Sequence, residues 1–356
     1  MTAAIVAVPA RNEQDRLPHL LAGLARQTVA STTKRLRVVV VLNNTDDGSR
    51  AVIEAGRHHH PNLDIEFSEV TYPPALAHVG SARRAAMERA LQWLDGDDQG
   101  VLLTTDADAV PAVDWVERNL AAIATGADLV GGRIFGDAEE EAALGPGFLD
   151  RARKIARYGQ LCDQLTAQLD PIAHDPWPRH QDHTGASLAV RAAVYRAVGG
   201  MPALPFREDL GFVNRVVGAG YRLVHPQDVQ VTVSARLKGR APGGMADCIA
   251  DWVAADARQA PIMVAAPAAT ARRANRRAQI RQLLGRPHAQ WQSTLEALGA
   301  DATALAGLQL TQRDIARLIQ TLSPDEPDAP ADTPIEQAVS ELAGRIAQLQ
   351  SRQDVA

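Results

Sequence analysis

The run Leu36–Leu42, LRVVVVL, holds a single charge among apolar residues, most of them β-branched. A strand this apolar leaves no face for water, so it must be covered on both sides. Ala3–Val8, closed by Pro9, and Val101–Leu103 are shorter runs of the same kind. Each ends in a polar turn cluster, and helical spacing follows. Leu17, Leu20, Leu21 and Leu24 mark a helix over Arg16–Arg26, and a second helix runs from Ser49 to about Gly56. Ile65–Val70 is a weaker third strand. Gly80-Ser81 opens an Ala-rich helix through Leu94, with Ser81 placed to cap it. Strand, loop and helix in repetition predict a parallel sheet with helices on both faces. Ligands in such sheets sit at the carboxyl ends of the strands. Asn12 and Glu13, Asn43–Asp47, and Asp106 with Asp108 all fall at such ends.

The bulk numbers restrict the class further. A chain of 356 residues with 46% hydrophobic content can fill one large core or two. A net charge of −5 gives no whole-molecule attraction to nucleic acid. The two cysteines, Cys162 and Cys248, stand far apart with no metal-type spacing, which fits a reducing compartment. No segment reaches the length of an apolar membrane span, and the N-terminus has no basic, signal-like start. The expectation is a cytoplasmic protein.

Asp106 and Asp108 carry the first chemistry. Two carboxylates one residue apart at a strand end can reach one divalent cation, and hard oxygen ligands suit Mg²⁺ or Mn²⁺. Acidic pairs at strand ends also serve as solvated turn residues. Arg83 and Arg84, at a helix start, can face an anion or simply solvent. Glu208 and Asp209 precede a helix, where an acidic residue can cap or act as a base. His58-His59-His60 reads as a surface loop, since consecutive residues point in different directions.

The second half is more mixed. A helix covers Asp114–Ala124, and Leu129–Ile134 reads as a strand with two glycines. Gly136–His183 is long and polar, with an ordered loop at Asp175–His180. His183–Val190 reads as a strand, Ala192–Val198 as a helix ending at Gly199-Gly200, and Val229–Val233 as a strand.

In order, VPARNE, VVVVLNNTDDGS, GSARRAAMERAL, LLTTDADAVP, GASLAVRAAVYRAVGG and REDLGFVNRVVGAGYRLVHP resemble the family 2 glycosyltransferases of GT-A fold. The resemblance spans residues 3 to about 240. It implies a GT-A, Rossmann-like mixed sheet flanked by helices. It also implies metal-dependent, inverting transfer of a sugar from a UDP- or GDP-type donor to an acceptor hydroxyl, a hexosyltransferase-like activity. The lack of an apolar membrane span points to a single addition rather than to a processive synthase. On the matching positions it implies that Pro9, Arg11, Asn12, Glu13, Asn43, Asn44 and Asp46 hold base and ribose. Asn43 and Asn44 stand where the family often has Asp. Arg83, Arg84, Thr105, Asp106 and Gly185 would meet diphosphate and sugar, with His183 and Thr184 beside them. Asp106 and Asp108 would bind Mg²⁺ or Mn²⁺, with His225 as a third ligand. Asp209 would be the base, and Glu208 second to it or an acceptor contact. Ser234–Arg240 would be a basic loop closing over the diphosphate. Two other readings stay open: a non-catalytic nucleotide-sugar or partner-binding protein, and a nucleotidyltransferase, which lacks here the Gly-rich loop that class needs.

Beyond residue 240 the resemblance fades. Residues 1–240 are expected as the catalytic domain, 241–322 as a helical extension, 323–334 as an acidic Pro-rich linker, and 335–356 as an amphipathic helix. Arg272, Arg273, Arg276, Arg277 and Arg281 give one extension helix a basic face, solvated or open to an anionic acceptor, a membrane surface or a partner. The near-heptad Ile335, Val339, Leu342, Ile346 and Leu349 either dock on the body or pair with a second copy.

Overall fold

The apolar runs pair with one another at the centre of a seven-stranded sheet. A computed structural model describes residues 2–31, 34–240, 243–301, 310–325 and 329–353. In chain order the first elements are β1 (Ala4–Ala10), α1 (Leu17–Ala25), β2 (Leu36–Asn43), α2 (Ser49–His59), β3 (Leu63–Val70), α3 (Val79–Trp93), β4 (Val101–Thr104), β5 (Ala109–Pro111) and α4 (Trp115–Ala124). Next come β6 (Leu129–Gly131), β7 (Arg133–Gly136), α5 (Ala138–Ala143), α6 (Pro146–Leu169), β8 (Leu188–Arg191), α7 (Ala192–Ala197), α8 (Glu208–Gly218), β9 (Leu223–Val224) and β10 (Gln230–Val233). The remainder are α9 (Met245–Ala257), β11 (Met263–Val264), α10 (Pro267–Arg281), α11 (His288–Ala297), α12 (Gln312–Leu322), β12 (Thr333–Pro334) and α13 (Ile335–Gln353).

The chain divides into two units. Unit one is residues 1–145, 180–216 and 222–253; unit two is 146–179, 217–221 and 254–356. In unit one the strand order is β3-β2-β1-β4-β8-β6-β9. β1 to β4 are mutually parallel, and β8 runs antiparallel to both its neighbours, so the sheet is mixed. β1 lies between β2 and β4, which is why Ile5, Val6, Val8, Val38, Val40 and Leu103 are fully buried. The leucines of α1 close over the same core. Gly56 of α2 admits Leu21, whose Cδ1 would stand 2.6 Å from an added Cβ. A second sheet, β5-β10-β7, carries the segment that follows β10.

Several expectations change. The cap of α3 is His78, whose ring accepts from the Ser81 amide at 3.3 Å, so Ser81 lies inside the helix. His58 and His59 form the last turn of α2 rather than a loop. The strand read over His183–Val190 is shorter, because a turn from the Ser187 amide to the Thr184 carbonyl precedes β8. Within the polar stretch Gly136–His183 stand α5 and the long helix α6.

Unit two is built on α6, α10 and α13. Leu161 and Leu165 of α6, Ala271 of α10, and Leu342 and Ile346 of α13 form one apolar cluster. Ile280, Leu283, Trp291, Leu295, Ile315 and Ile319 form another. The apolar stripe of α13 is therefore covered within unit two. Most of the basic face of α10 turns inward too. Arg281 pairs with buried Asp170 at 2.9 Å, Arg277 donates to the Ser323 carbonyl, and Arg276 donates to the Leu298 carbonyl. The segment expected as a linker carries β12, paired with β11, and a buried Ser323. Its residues 326–328, and 302–309 in the stretch read as helices, lie outside the described residues. No helix among the described residues is long and apolar enough to cross a membrane.

Candidate active site

A cavity of about 480 Å³ opens in unit one where β1, β2 and β4 end. Its lining includes Pro9, Arg11, Glu13, Asn43, Arg83, Asp106, Asp108, Gly185, Glu208, Asp209 and Arg236. Residues from seven separate stretches of sequence therefore meet at one rim.

Arg83 is the centre of this arrangement. It enters from the first turns of α3 and is almost wholly buried. Its Nε donates to Glu208 Oε1 at 2.9 Å and its Nη2 to Asp106 Oδ1 at 2.7 Å. Its Nη1 donates to Thr104 Oγ1 and to the Gly185 carbonyl, at 3.1 and 2.9 Å. Burial opposes its charge, but Asp106, Glu208 and Asp209 outweigh burial and hold its pKa above the ordinary arginine value. Arg83 thus ties the end of β4 to the start of α8. Gly185 is needed beside it, since a Cβ there would lie 2.3 Å from the guanidinium. Arg84, one helical step on, is exposed and pairs with Glu88 at 2.6 Å.

A second arginine closes the acidic side. Arg236 binds Glu13 through two bonds of 2.7 Å, and its Nη2 lies 2.9 Å from Asp108 Oδ2. The Asp108 carboxyl is pushed up to about 6 by burial and then by the charge of Asp106, with Glu13 adding to it and Arg236 opposing. Crowded carboxylates of this kind suit a cation. Asp106 and Asp108 supply the hard oxygen donors that Mg²⁺ or Mn²⁺ takes, so the residues fit such an ion. Among the described residues no group of three His, Cys, Asp or Glu side chains is placed to hold one.

His225 is placed elsewhere. Its Nε2 lies 3.1 Å from His183 Nδ1, its ring meets His180 edge-on, and it does not line the cavity. Asn12, Asn44, Asp46 and Thr105 do not line it either. Asn12, at φ +54°, and Asp46 bond each other, and Asn44, at φ +47°, exchanges two bonds with the Tyr72 backbone. They shape the two loops, as asparagine readily does in left-handed backbone. Thr105 is buried and donates to the Ala186 carbonyl at 2.8 Å. Asn43 does face the cavity. Its Nδ2 donates to the His78 carbonyl, while its buried Oδ1 has no hydrogen-bond partner among the described residues.

Asp209 is engaged on both oxygens. Oδ2 accepts the Gly185 amide at 2.7 Å and Oδ1 the Leu210 amide at 2.8 Å. Glu208, beside it, is buried against Arg83. The sequence reading missed His78, Phe206 and the stretch from Gly243 to Cys248 as cavity residues. No motif marks them. Only the fold brings the start of α9 to this rim.

Residues 5–173 match the family model described as Glycosyl transferase family 2. A comparison with curated proteins finds no match to this chain. Solved structures similar to it include the mannosyltransferase PcManGT from Pyrobaculum calidifontis in complex with GDP-Man and Mn²⁺. That pair shares 16% identity over 99% of this chain and 75% of that one, with a TM-score of 0.48. S. aureus TarS 1-349 in complex with UDP-GlcNAc shares 16% identity over 99% of this chain and 92% of that one, with a TM-score of 0.48. Glucosyl-3-phosphoglycerate synthase from Mycobacterium tuberculosis in complex with phosphoglyceric acid shares 13% identity over 72% of this chain and 79% of that one, with a TM-score of 0.38. Over residues 5–173 the chain carries the sequence pattern of glycosyl transferase family 2, the family its order of motifs resembles.

Proposed function

We propose that unit one transfers a single hexose, with inversion, from a UDP- or GDP-type sugar to an acceptor hydroxyl. The observation that carries this reading is the meeting of Asn43, the Asp106/Asp108 pair and Asp209 around one cavity. The unpartnered Asn43 Oδ1 offers an acceptor for a donor group on the base. Asp106 and Asp108 would hold Mg²⁺ or Mn²⁺, which when bound would neutralise charge on the departing diphosphate. Asp209 takes the proton from the attacking acceptor hydroxyl as the bond to the anomeric carbon forms. Arg83 and the Gly185 amide fix Asp209 and Glu208 against the end of β4, so the base starts in place.

Calorimetric titration with UDP- and GDP-sugars, with Mn²⁺ or with chelator, tests the donor half. Metal-dependent binding of one nucleotide class, lost in Asp108→Ala, supports the reading. Binding of none, or binding indifferent to metal and to that substitution, sinks it. A second reading, sugar-nucleotide binding without transfer, is favoured by the two backbone amides that occupy Asp209. Under that reading no acceptor panel yields turnover while donor binding persists.

A further inference from the structure

The segment after β10 holds a cation of its own over the acidic rim. Its base is fixed. The Ser234 hydroxyl and the Ala235 amide both donate to Glu140 Oε2 at 2.8 Å, and the Ser234 amide bonds the Asp108 carbonyl at 3.2 Å. From that anchor the Arg236 guanidinium reaches Glu13 and Asp108 at 2.7 and 2.9 Å, as described above. Further along, Arg240 donates twice to the Asn12 carbonyl, at 3.1 and 3.0 Å. Arg236 is therefore bound to one of the two carboxylates proposed to seat the divalent ion. A guanidinium and a doubly charged ion on one carboxylate repel each other, and the guanidinium already stands against Asp108 Oδ2.

We propose that Arg236 and the divalent cation occupy Asp108 exclusively, so that Arg236 holds metal off the free protein. The inference rests on the metal seat proposed above. A nucleoside diphosphate offers Arg236 phosphate oxygens in exchange for Asp108, and the ion then takes the carboxylate Arg236 leaves. By linkage, diphosphate and metal each tighten the binding of the other. Arg236 acts here as a positioning residue, not on the reacting atoms.

The test is the affinity of the full chain for Mn²⁺ alone, read from the electron paramagnetic signal of free Mn²⁺. Arg236→Gln is expected to bind Mn²⁺ roughly tenfold or more tightly than the parent. The Glu13→Gln/Arg236→Gln pair, which leaves no unpaired Glu13 charge, is expected to keep most of that gain if the single variant folds poorly. Adding Asp108→Asn is expected to abolish it. Equal affinities for parent and both Arg236 variants, with Asp108→Asn weakening all of them, would overturn the exclusion and leave the metal seat standing. Binding by none of them would overturn the exclusion and the seat together.

Discussion

Arg83→Met removes the group that joins β4 to α8 and leaves its partners where they are. Of those partners, Glu208 is 4% exposed and has its carboxylate in the interior. The Asp106 side chain is 34% exposed, so water screens its pair, and that contact contributes about 1 kcal/mol or less. Removing one member of a buried pair costs about 3–5 kcal/mol, mostly from the charge left unpaired. The expected loss of stability is therefore about 4 kcal/mol, dominated by Glu208. Glu208→Gln in the same background removes the stranded charge, so the double variant should recover about 2 kcal/mol relative to the sum of the singles. Urea unfolding measures this, followed by fluorescence in a Trp177→Phe/Trp291→Phe background so that Trp115, fully buried in the unit-one core, contributes to the signal. Separate reporting is needed because the units need not unfold together. A loss under about 1 kcal/mol, or strict additivity of the two substitutions, would refute the claim that this pair is a buried tie.

Asp209→Asn should lower kcat by about 10²–10⁴ while leaving donor affinity nearly unchanged, measured by steady-state kinetics beside calorimetry. An unchanged kcat would reduce Asp209 to a helix cap. Gly80→Ala would set a Cβ 2.0 Å from the Leu204 carbonyl oxygen, a backbone atom that cannot swing aside. The melting temperature should drop by an amount matching about 1–3 kcal/mol or more. Leu342→Ala empties a fully buried position in unit two and should cost about 2–5 kcal/mol in urea unfolding. A cost near zero there would mean that α13 is not docked as described.

How far the fold was legible follows from burial. β1, β2 and β4 are covered on both faces over most of their length, so they are nearly all apolar and stand out without any alternation. α6 was not legible, because its apolar residues sit among charges in a stretch that looks like loop. The signal was present all the same. Ile155, Tyr158, Cys162, Leu165 and Leu169 recur at helical spacing, and they pack on chain that lies far downstream in sequence. The polarity of β8 was hidden for a different reason. A short apolar run does not state its direction, and antiparallel pairing with β4 depends on the path through the long segment before it.

The site follows a subtler rule, visible in its neighbouring pairs. Arg83 and Arg84 are alike in sequence, but one step along a helix turns the side chain about 100°, so the first is buried and the second solvated. Asn43 ends a strand facing the cavity, while Asn44 takes the left-handed turn and is spent on Tyr72. Asp106 and Asp108 lie in the turn between β4 and β5, and both line the rim. Sequence order could find each pair but not choose within it. The choice depends on where an element begins, and here that register comes from contacts such as His78 on the Ser81 amide. The same reasoning separates the two arginines of the site. Arg83 is locked by four partners on three segments and can only position. Arg236 stands on a strap and holds two carboxylates, one of which, Asp108, is the proposed seat of the divalent ion. A site whose fixed cation sets the geometry can release its other cation when a ligand arrives.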